Sequence, residues 1–127
     1  MKTSILSFAS LLLVGLMFFS CEQLTQKKLE GKWEMLTVPN PGYEEDWTFT
    51  ATTLVITRTN TGDSTANFTD SGTYTIHNNT ITTTGEGLAS SGVEYYRGDF
   101  QINRLTNSQL ILIRDDQGLQ YYEFVKK

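Results

Sequence analysis

The sequence predicts an all-β protein, a single antiparallel eight-stranded up-and-down barrel. Apolar and polar residues alternate in many short windows, as expected for strands that bury one face. No window keeps an apolar period of 3.6 residues, and short turns join most runs, so neighbouring strands should pair antiparallel. The predicted strands are residues 31–38, 45–50, 53–59, 72–77, 80–84, 94–105, 109–114 and 119–125.

Turn-forming residues separate these runs. Asn78-Asn79 lies between two alternating segments, and Asn tolerates the positive φ that tight hairpins require. Asn107-Ser108 and the stretch from Asp115 to Gly118 have the same role later in the chain. Two longer loops, Asn60–Ser71 and Gly85–Gly92, interrupt the succession of hairpins.

Closure into a barrel follows from the problem of exposed edges. Eight strands with one apolar face each need a cover, and no helix is predicted to supply one. A closed barrel removes the edges and buries the apolar faces together. A sandwich of two sheets is the alternative, but the consecutive short turns favour the barrel.

Aromatic residues dominate the predicted interior. An eight-stranded barrel either fills with side chains or holds one small ligand. The expected interior is therefore a packed core or a shallow apolar pocket at the open end, rimmed by the two long loops. The candidate ligand-binding residues are Trp33, Trp47, Phe49, Tyr74, Tyr96, Phe100 and Tyr122, with Phe124 also facing inward.

The N-terminus predicts secretion and lipidation. Lys2 precedes an apolar run from Ile5 to Phe19, and the small residue Ser20 precedes Cys21. This arrangement is typical of a signal peptide, and the cysteine after the cut resembles the lipobox of bacterial lipoproteins. A run of about fifteen apolar residues is short for a membrane-spanning helix, which needs about 20.

The lipobox resemblance implies a location and an anchor. It implies a cell-envelope lipoprotein of the outer membrane, periplasmic or surface-exposed, held by acyl chains such as palmitate on Cys21. The expected organisation is a signal peptide at 1–20, a flexible lipidated tether at 21–28 and the barrel domain at 29–127. Cys21 is the only cysteine, so no disulfide is expected.

A second resemblance concerns the barrel. Gly31-Lys32-Trp33 at the start of the first strand resembles the Gly-x-Trp opening of lipocalins, and the strand order is similar to that of small lipocalin-like lipoproteins of Bacteroidota-type bacteria. In lipocalins the Trp closes one end of the barrel and packs beside an arginine from a late strand. The resemblance implies that Arg114 or Arg104 plays that part.

Composition and motifs argue against several function classes. The formal charge is −4, and loss of the signal peptide removes Lys2 and no acid, so neither nucleic acid nor an anionic membrane is an expected electrostatic partner. His77 is isolated beside a turn, and the acidic clusters Glu44-Glu45-Asp46 and Asp115-Asp116 are expected to be solvated loops. We expect no enzyme, no cofactor and no metal site.

Two functions remain open. A monomeric barrel could bind a small apolar molecule, or a filled barrel could act as a protein-interaction module, either an envelope-complex subunit or an enzyme inhibitor. Ser64, in Asp63-Ser64-Thr65, is a candidate O-glycosylation site, because the triplet is similar to the acceptor motif of Bacteroidota-type secreted proteins.

Overall fold

The computed structural model describes residues 21–38, 42–63, 65, 67–85, 87 and 96–127. Within these residues there is one α-helix, α1, at residues 21–29, and it is followed by eight strands. The strands are β1 (Gly31–Met35), β2 (Tyr43–Phe49), β3 (Thr53–Asn60), β4 (Phe68–His77), β5 (Thr80–Thr84), β6 (Gly98–Leu105), β7 (Gln109–Arg114) and β8 (Gln120–Lys126).

The strands close into an up-and-down barrel, as predicted. Each strand pairs antiparallel with the next, and β1 pairs with β8, with Met35 opposite Phe124. Closure leaves neither edge exposed, which decides between the barrel and the sandwich.

The tight turn between β4 and β5 has the predicted chemistry. Asn78 and Asn79 have φ values of 46° and 65°. A two-residue hairpin with positive φ at both central positions matches the twist of its strands, and Asn adopts this conformation more readily than most residues. The turn is tied to β6, because the side-chain amide of Asn79 donates a hydrogen bond to the Ile102 carbonyl at 2.8 Å.

The strand bounds differ from the prediction by three residues or more in three strands. β1 ends at Met35, three residues before its predicted end at residue 38. β4 begins at Phe68, four residues earlier than expected, and its first residues pair with the end of β3, with Phe68 opposite Arg58. Thr69, Asp70 and Ser71 show no apolar alternation. Only their pairing with β3 shows that they belong to a strand. β6 begins at Gly98, and residues 94 and 95 of the predicted strand lie outside the described residues.

The N-terminal segment at residues 21–29, where the sequence predicts a flexible tether at 21–28, is a helix. Glu22 in its first turn and Lys27 and Lys28 in its last turn suit the helix dipole. A nine-residue helix is marginal alone in water, but α1 ends on Leu29, which is completely buried. Packing of Leu29 against the barrel therefore stabilises a helix that its own sequence would leave only marginally stable.

Candidate functional site

The two ends of the barrel are built differently. The turns between β2 and β3, β4 and β5, and β6 and β7 are short and lie at the end where β1 begins. We call this end, with α1, the closed end. The ends of β1, β3, β5 and β7 and the starts of β2, β4, β6 and β8 lie at the opposite end of the barrel, which we call the mouth.

Trp33 lies at the closed end, under α1. Its indole Nε1 donates a hydrogen bond to the Leu29 carbonyl at 2.7 Å. The ammonium group of Lys126 lies 5.0 Å from the centre of the Trp33 ring and donates to the Lys28 carbonyl at 3.1 Å. Gly31 allows this arrangement, because its φ is +125° and a Cβ there would lie 2.8 Å from Cε of Lys126.

The cation beside Trp33 is therefore a lysine, and the expectation of Arg114 or Arg104 was wrong. Arg104 is exposed on β6. Arg114 lies at the mouth end of β7, where its guanidinium stacks 5.3 Å from the centre of the Phe100 ring. Because β8 ends beside the start of β1, its last residues are the ones that reach Trp33.

The centre of the barrel is filled by aromatic rings around Trp47. The ring centres of Tyr96, Phe124 and Phe100 lie 5.0, 5.1 and 5.6 Å from that of Trp47. The Tyr96 and Phe100 rings meet Trp47 nearly edge-on, which is a favoured aromatic geometry. Within the described residues, the middle of the barrel is thus a packed core.

A buried polar network separates this aromatic core from the mouth. Glu45 on β2 is completely buried, and its carboxylate accepts a hydrogen bond from Nε of Arg58 at 2.7 Å. The guanidinium of Arg58 also donates to the Tyr96 hydroxyl at 2.8 Å. The indole of Trp47 donates to the other carboxylate oxygen of Glu45 at 2.8 Å. We call these four residues the mouth network.

Aromatic faces cover the arginine of the mouth network. The Arg58 guanidinium carbon lies 5.1 Å from the centre of the Phe68 ring and 5.7 Å from that of Tyr43. Such cation–π contacts gain strength when water is excluded, and Arg58 is 8% exposed. The arrangement combines apolar surface with a few fixed polar groups, which is the usual composition of a small-molecule site.

Arg114 joins two loops of the mouth. It donates hydrogen bonds to the carboxylate of Asp116 and, at 2.9 Å, to the Arg97 carbonyl. The hydrogen bonds from Arg114 hold the pKa of Asp116 below its ordinary value. This contact fixes the start of the β7–β8 loop to the chain that leads into β6.

The predicted ligand-binding residues occupy two levels of the barrel. Tyr74 lies towards the closed end, where its ring meets Phe49 edge-on at 5.2 Å and its hydroxyl donates to the Thr50 carbonyl. Burial, with a contribution from Glu30, raises the pKa of Tyr74 to about 12. The central and mouth-side level contains Trp47, Tyr96, Phe100 and Tyr122. Trp33 lies far from the mouth, under α1.

The sequence reasoning missed Glu45 and Arg58. The acidic cluster Glu44-Glu45-Asp46 was expected in a solvated loop, but it lies in β2 and Glu45 points inward. The signal was present in the alternation, because Glu45 precedes Trp47 by two residues and Arg58 follows Ile56 by two. Side chains two apart on a strand share a face, so each belonged to the inner face.

The remaining predicted sites lie at the closed end or outside the described residues. Cys21 is an exposed free thiol at the start of α1. The next residue, Glu22, contacts Nδ1 of His77 at 3.2 Å, so His77 packs beside α1 on the surface. Ser64 and the predicted signal peptide at 1–20 lie outside the described residues.

Surface cavities of about 340, 190 and 630 Å³ lie along the described part of the chain. The first two lie between α1 and the barrel wall, and the third lies over β5, β6 and β7. None of the three is lined by a residue of the mouth network. Among the described residues, no group of three His, Cys, Asp or Glu side chains could hold a metal ion. None of the described helices has the length and hydropathy needed to cross a membrane.

Comparison with known proteins defines the class. The family model of the lipocalin-like domain matches residues 25–112. This match covers more than half of the chain, and the protein belongs to the lipocalin-like domain family. The closed eight-stranded barrel and the Trp at the start of its first strand agree with that assignment.

Two solved structures share the fold. A lipocalin-like protein from Bacteroides uniformis aligns with a TM-score of 0.56 at 16% identity, over 79% of this chain and 99% of the other. An uncharacterized protein from Bacteroides eggerthii aligns with a TM-score of 0.54 at 18% identity, over 78% of this chain and 99% of the other. No curated protein matches the sequence.

Proposed function

We propose that this protein is an envelope lipoprotein, acylated on Cys21, whose barrel binds a small, largely apolar molecule at the mouth. The binding is non-catalytic. The molecule contacts the aromatic faces around Arg58, and a polar group on it meets the mouth network. The proposal combines the lipocalin-like fold with the exposed thiol at the start of α1.

The buried ion pair of Glu45 and Arg58 is the observation that carries the binding proposal. An ion pair inside an apolar core is often no better for stability than apolar residues of the same volume. The barrel nevertheless contains this pair directly below the mouth, with two aromatic rings against the cation. Recognition of a ligand would explain why a buried ion pair lies here, whereas packing alone would be served equally well by apolar residues.

Extraction of the purified protein, followed by mass spectrometry, tests the binding proposal. The wild type should release a small molecule, and the double variant Glu45→Gln/Arg58→Met should release much less. Lys32→Gln is a suitable control, because Lys32 lies on the outer wall and pairs with Asp46. Equal release from all three proteins, or no release from the wild type, would contradict a site at the mouth.

Metabolic labelling with palmitate tests the anchor separately. The wild type should incorporate label and fractionate with membranes, whereas Cys21→Ser should do neither. Acyl chains stabilise membrane attachment by about 0.8 kcal/mol per buried CH₂, so firm anchoring takes more than one chain. Label retained in Cys21→Ser would exclude this cysteine as the acylated residue.

A protein-interaction module is the second candidate, and a specific observation favours it. The centre of the barrel is filled, and Leu36, Leu119 and Tyr121 expose more than half of their surface near the mouth. Exposed apolar side chains of this kind are typical of protein contact sites. A photo-crosslinker at Leu119 that traps one envelope protein, together with an empty extract, would favour this function over ligand binding.

A further inference from the structure

We propose that the closed end of the barrel is the face that rests on an anionic phospholipid surface, so that the mouth points away from the membrane. This inference rests on the acylation of Cys21 proposed above. It adds an orientation and a lipid chemistry that the anchor alone does not specify.

The helix α1 holds Cys21 against the closed end. Glu22 contacts His77 at the end of β4, and Gln26 donates a hydrogen bond to the Ala51 carbonyl on the β2–β3 turn. Lys28 accepts from Lys126 on β8, and Leu29 is buried. Acyl chains on Cys21 would therefore enter the membrane beside these turns and not at the end of a free chain.

The closed end carries exposed basic side chains. Lys27, Lys28 and Arg104 are exposed, and within the described part of the chain none of their side chains lies within 4.0 Å of a carboxylate oxygen. Lys28 and Arg104 line one groove between α1 and β6, with a volume of about 190 Å³. Two uncompensated cations in one groove suit a phosphate headgroup.

The groove also has an apolar side. Leu24 and Leu105 line it beside the two cations, and Leu24 is 58% exposed. A leucine next to basic groups suits the boundary between headgroups and acyl chains, where apolar side chains enter the interface and cations meet phosphates. The charge and the apolar surface of the groove therefore both favour contact with an anionic lipid surface.

The mouth carries exposed acidic side chains. Glu44, Asp63 and Asp115 are exposed there. An anionic surface repels these carboxylates and attracts Lys27, Lys28 and Arg104. Although the whole chain is acidic and Glu22 also lies on α1, the groove between α1 and β6 is basic. The groove and the three acidic residues of the mouth therefore favour the same orientation.

A paramagnetic-lipid experiment tests the orientation. The chain from Cys21 onward, which contains every described element, is coupled through its thiol to a maleimide lipid. It is then placed in bicelles of phosphatidylcholine with phosphatidylglycerol that contain a headgroup spin label. Amide signals of Asn78 and Asn103 at the closed end should broaden strongly, and those of Gly118 and Tyr121 at the mouth should stay sharp. Equal broadening at both ends, or stronger broadening at the mouth, would overturn the proposal.

Charge variants test the lipid chemistry. Lys28→Gln/Arg104→Gln should reduce the preference for the closed end by about fivefold per cation removed, since each basic residue near an anionic surface contributes about 1 kcal/mol. Lys32→Gln/Arg97→Gln makes the same change in total charge outside the groove, with one cation lost near each end of the barrel. The two losses should offset each other and leave the preference unchanged. An identical preference in phosphatidylcholine alone, or an equal effect of both pairs, would overturn the role of anionic lipid.

The chemical coupling keeps this test independent of natural acylation. Failure of palmitate labelling would remove the anchor while the coupled protein still reports which face of the barrel meets lipid. Failure of the bicelle experiment with successful labelling would leave an acylated protein without a preferred orientation.

Discussion

Glu45 and Arg58 place two opposite charges inside the barrel, where each is costly to remove from water. Hydrogen bonds offset this cost, because both carboxylate oxygens of Glu45 accept one and Arg58 also donates one to the Tyr96 hydroxyl. Removal of one partner is therefore more damaging than removal of both, since the remaining charge stays buried.

Arg58→Met should lower the free energy of unfolding by about 3–5 kcal/mol, the usual effect of leaving one charge of a buried pair uncompensated. Glu45→Gln/Arg58→Met should be less damaging than the single change. Urea denaturation followed by tryptophan fluorescence measures both. If the free energy of unfolding of Arg58→Met lay within about 1 kcal/mol of the wild-type value, water would have to reach Glu45 in the variant.

The raised pKa of Tyr74 leads us to expect that the free energy of unfolding changes at alkaline pH. Its pKa of about 12 in the folded protein exceeds the ordinary value of 10.0. Above pH 10 the unfolded chain loses this proton while the folded protein retains it, so stability falls as the pH rises towards 12. Tyr74→Phe should remove this part of the decline.

The measurement for Tyr74 is a set of urea denaturation curves between pH 9 and pH 12. At neutral pH, Tyr74→Phe should cost about 1 kcal/mol for the hydrogen bond to Thr50. The gap between the variant and the wild type should then narrow with increasing pH. A constant gap would mean that Tyr74 titrates alike in the folded and unfolded states.

At the scale of elements, α1 is the part of the molecule that depends most on its surroundings. Its residues are good helix formers, but a helix this short is stable only when a face is buried. Leu29 supplies that face and also accepts the hydrogen bond of Trp33. The helix and the closed end of the barrel therefore stabilise each other.

Leu29→Ala should lower the free energy of unfolding by about 2–5 kcal/mol, the range for emptying a large aliphatic site in a core. Leu24→Ala is the matched control on the same helix, and it should change stability by less than about 0.5 kcal/mol because Leu24 is exposed. Thermal and urea denaturation compare the two. Equal effects would show that α1 does not pack on the barrel as a unit.

At the scale of the whole molecule, the contact between β1 and β8 makes the barrel one cooperative structure. The first and last strands close the sheet, and Trp33 and Trp47 report on its closed end and its centre. A break anywhere in the ring exposes edges and core together. Small single domains of this kind usually unfold in one step.

Denaturation of the chain from Cys21 onward should therefore give the same midpoint by tryptophan fluorescence and by far-ultraviolet circular dichroism. The spectrum of the folded protein should be that of a β protein with little helix. Two separated transitions would indicate that the closed end and the centre unfold independently, and a predominantly helical spectrum would contradict the fold.

Much of the barrel could be predicted from local patterns. Trp33, Trp47, Phe100 and Phe124 alternate with polar neighbours along their strands, and all four are buried. Alternation is visible in a single strand because successive side chains point to opposite faces. The number of strands and most of the aromatic core followed from this rule, and the order of the strands followed from the short turns between them.

The contents of the mouth could not be predicted in the same way. Glu45 and Arg58 are 13 residues apart, and Arg58 and Tyr96 are 38 residues apart. Alternation places Glu45 on the inner face, but only the paired strands show that a cation lies opposite it. Burial of a carboxylate without a partner costs a large free energy. With no partner visible in the sequence, a solvated loop was therefore the expected location of Glu45.

The sequence by itself determined the fold class, the inward aromatic residues and the motif that starts the first strand, because each depends on neighbours a few residues apart. Tertiary structure decided the rest: that Lys126 stacks on Trp33, that α1 packs against the closed end of the barrel, and that Lys28 and Arg104 share one groove. Lys126 and Lys28 are 98 residues apart, and no local pattern encodes such a contact. It exists only because closure of the barrel brings the last strand beside the first.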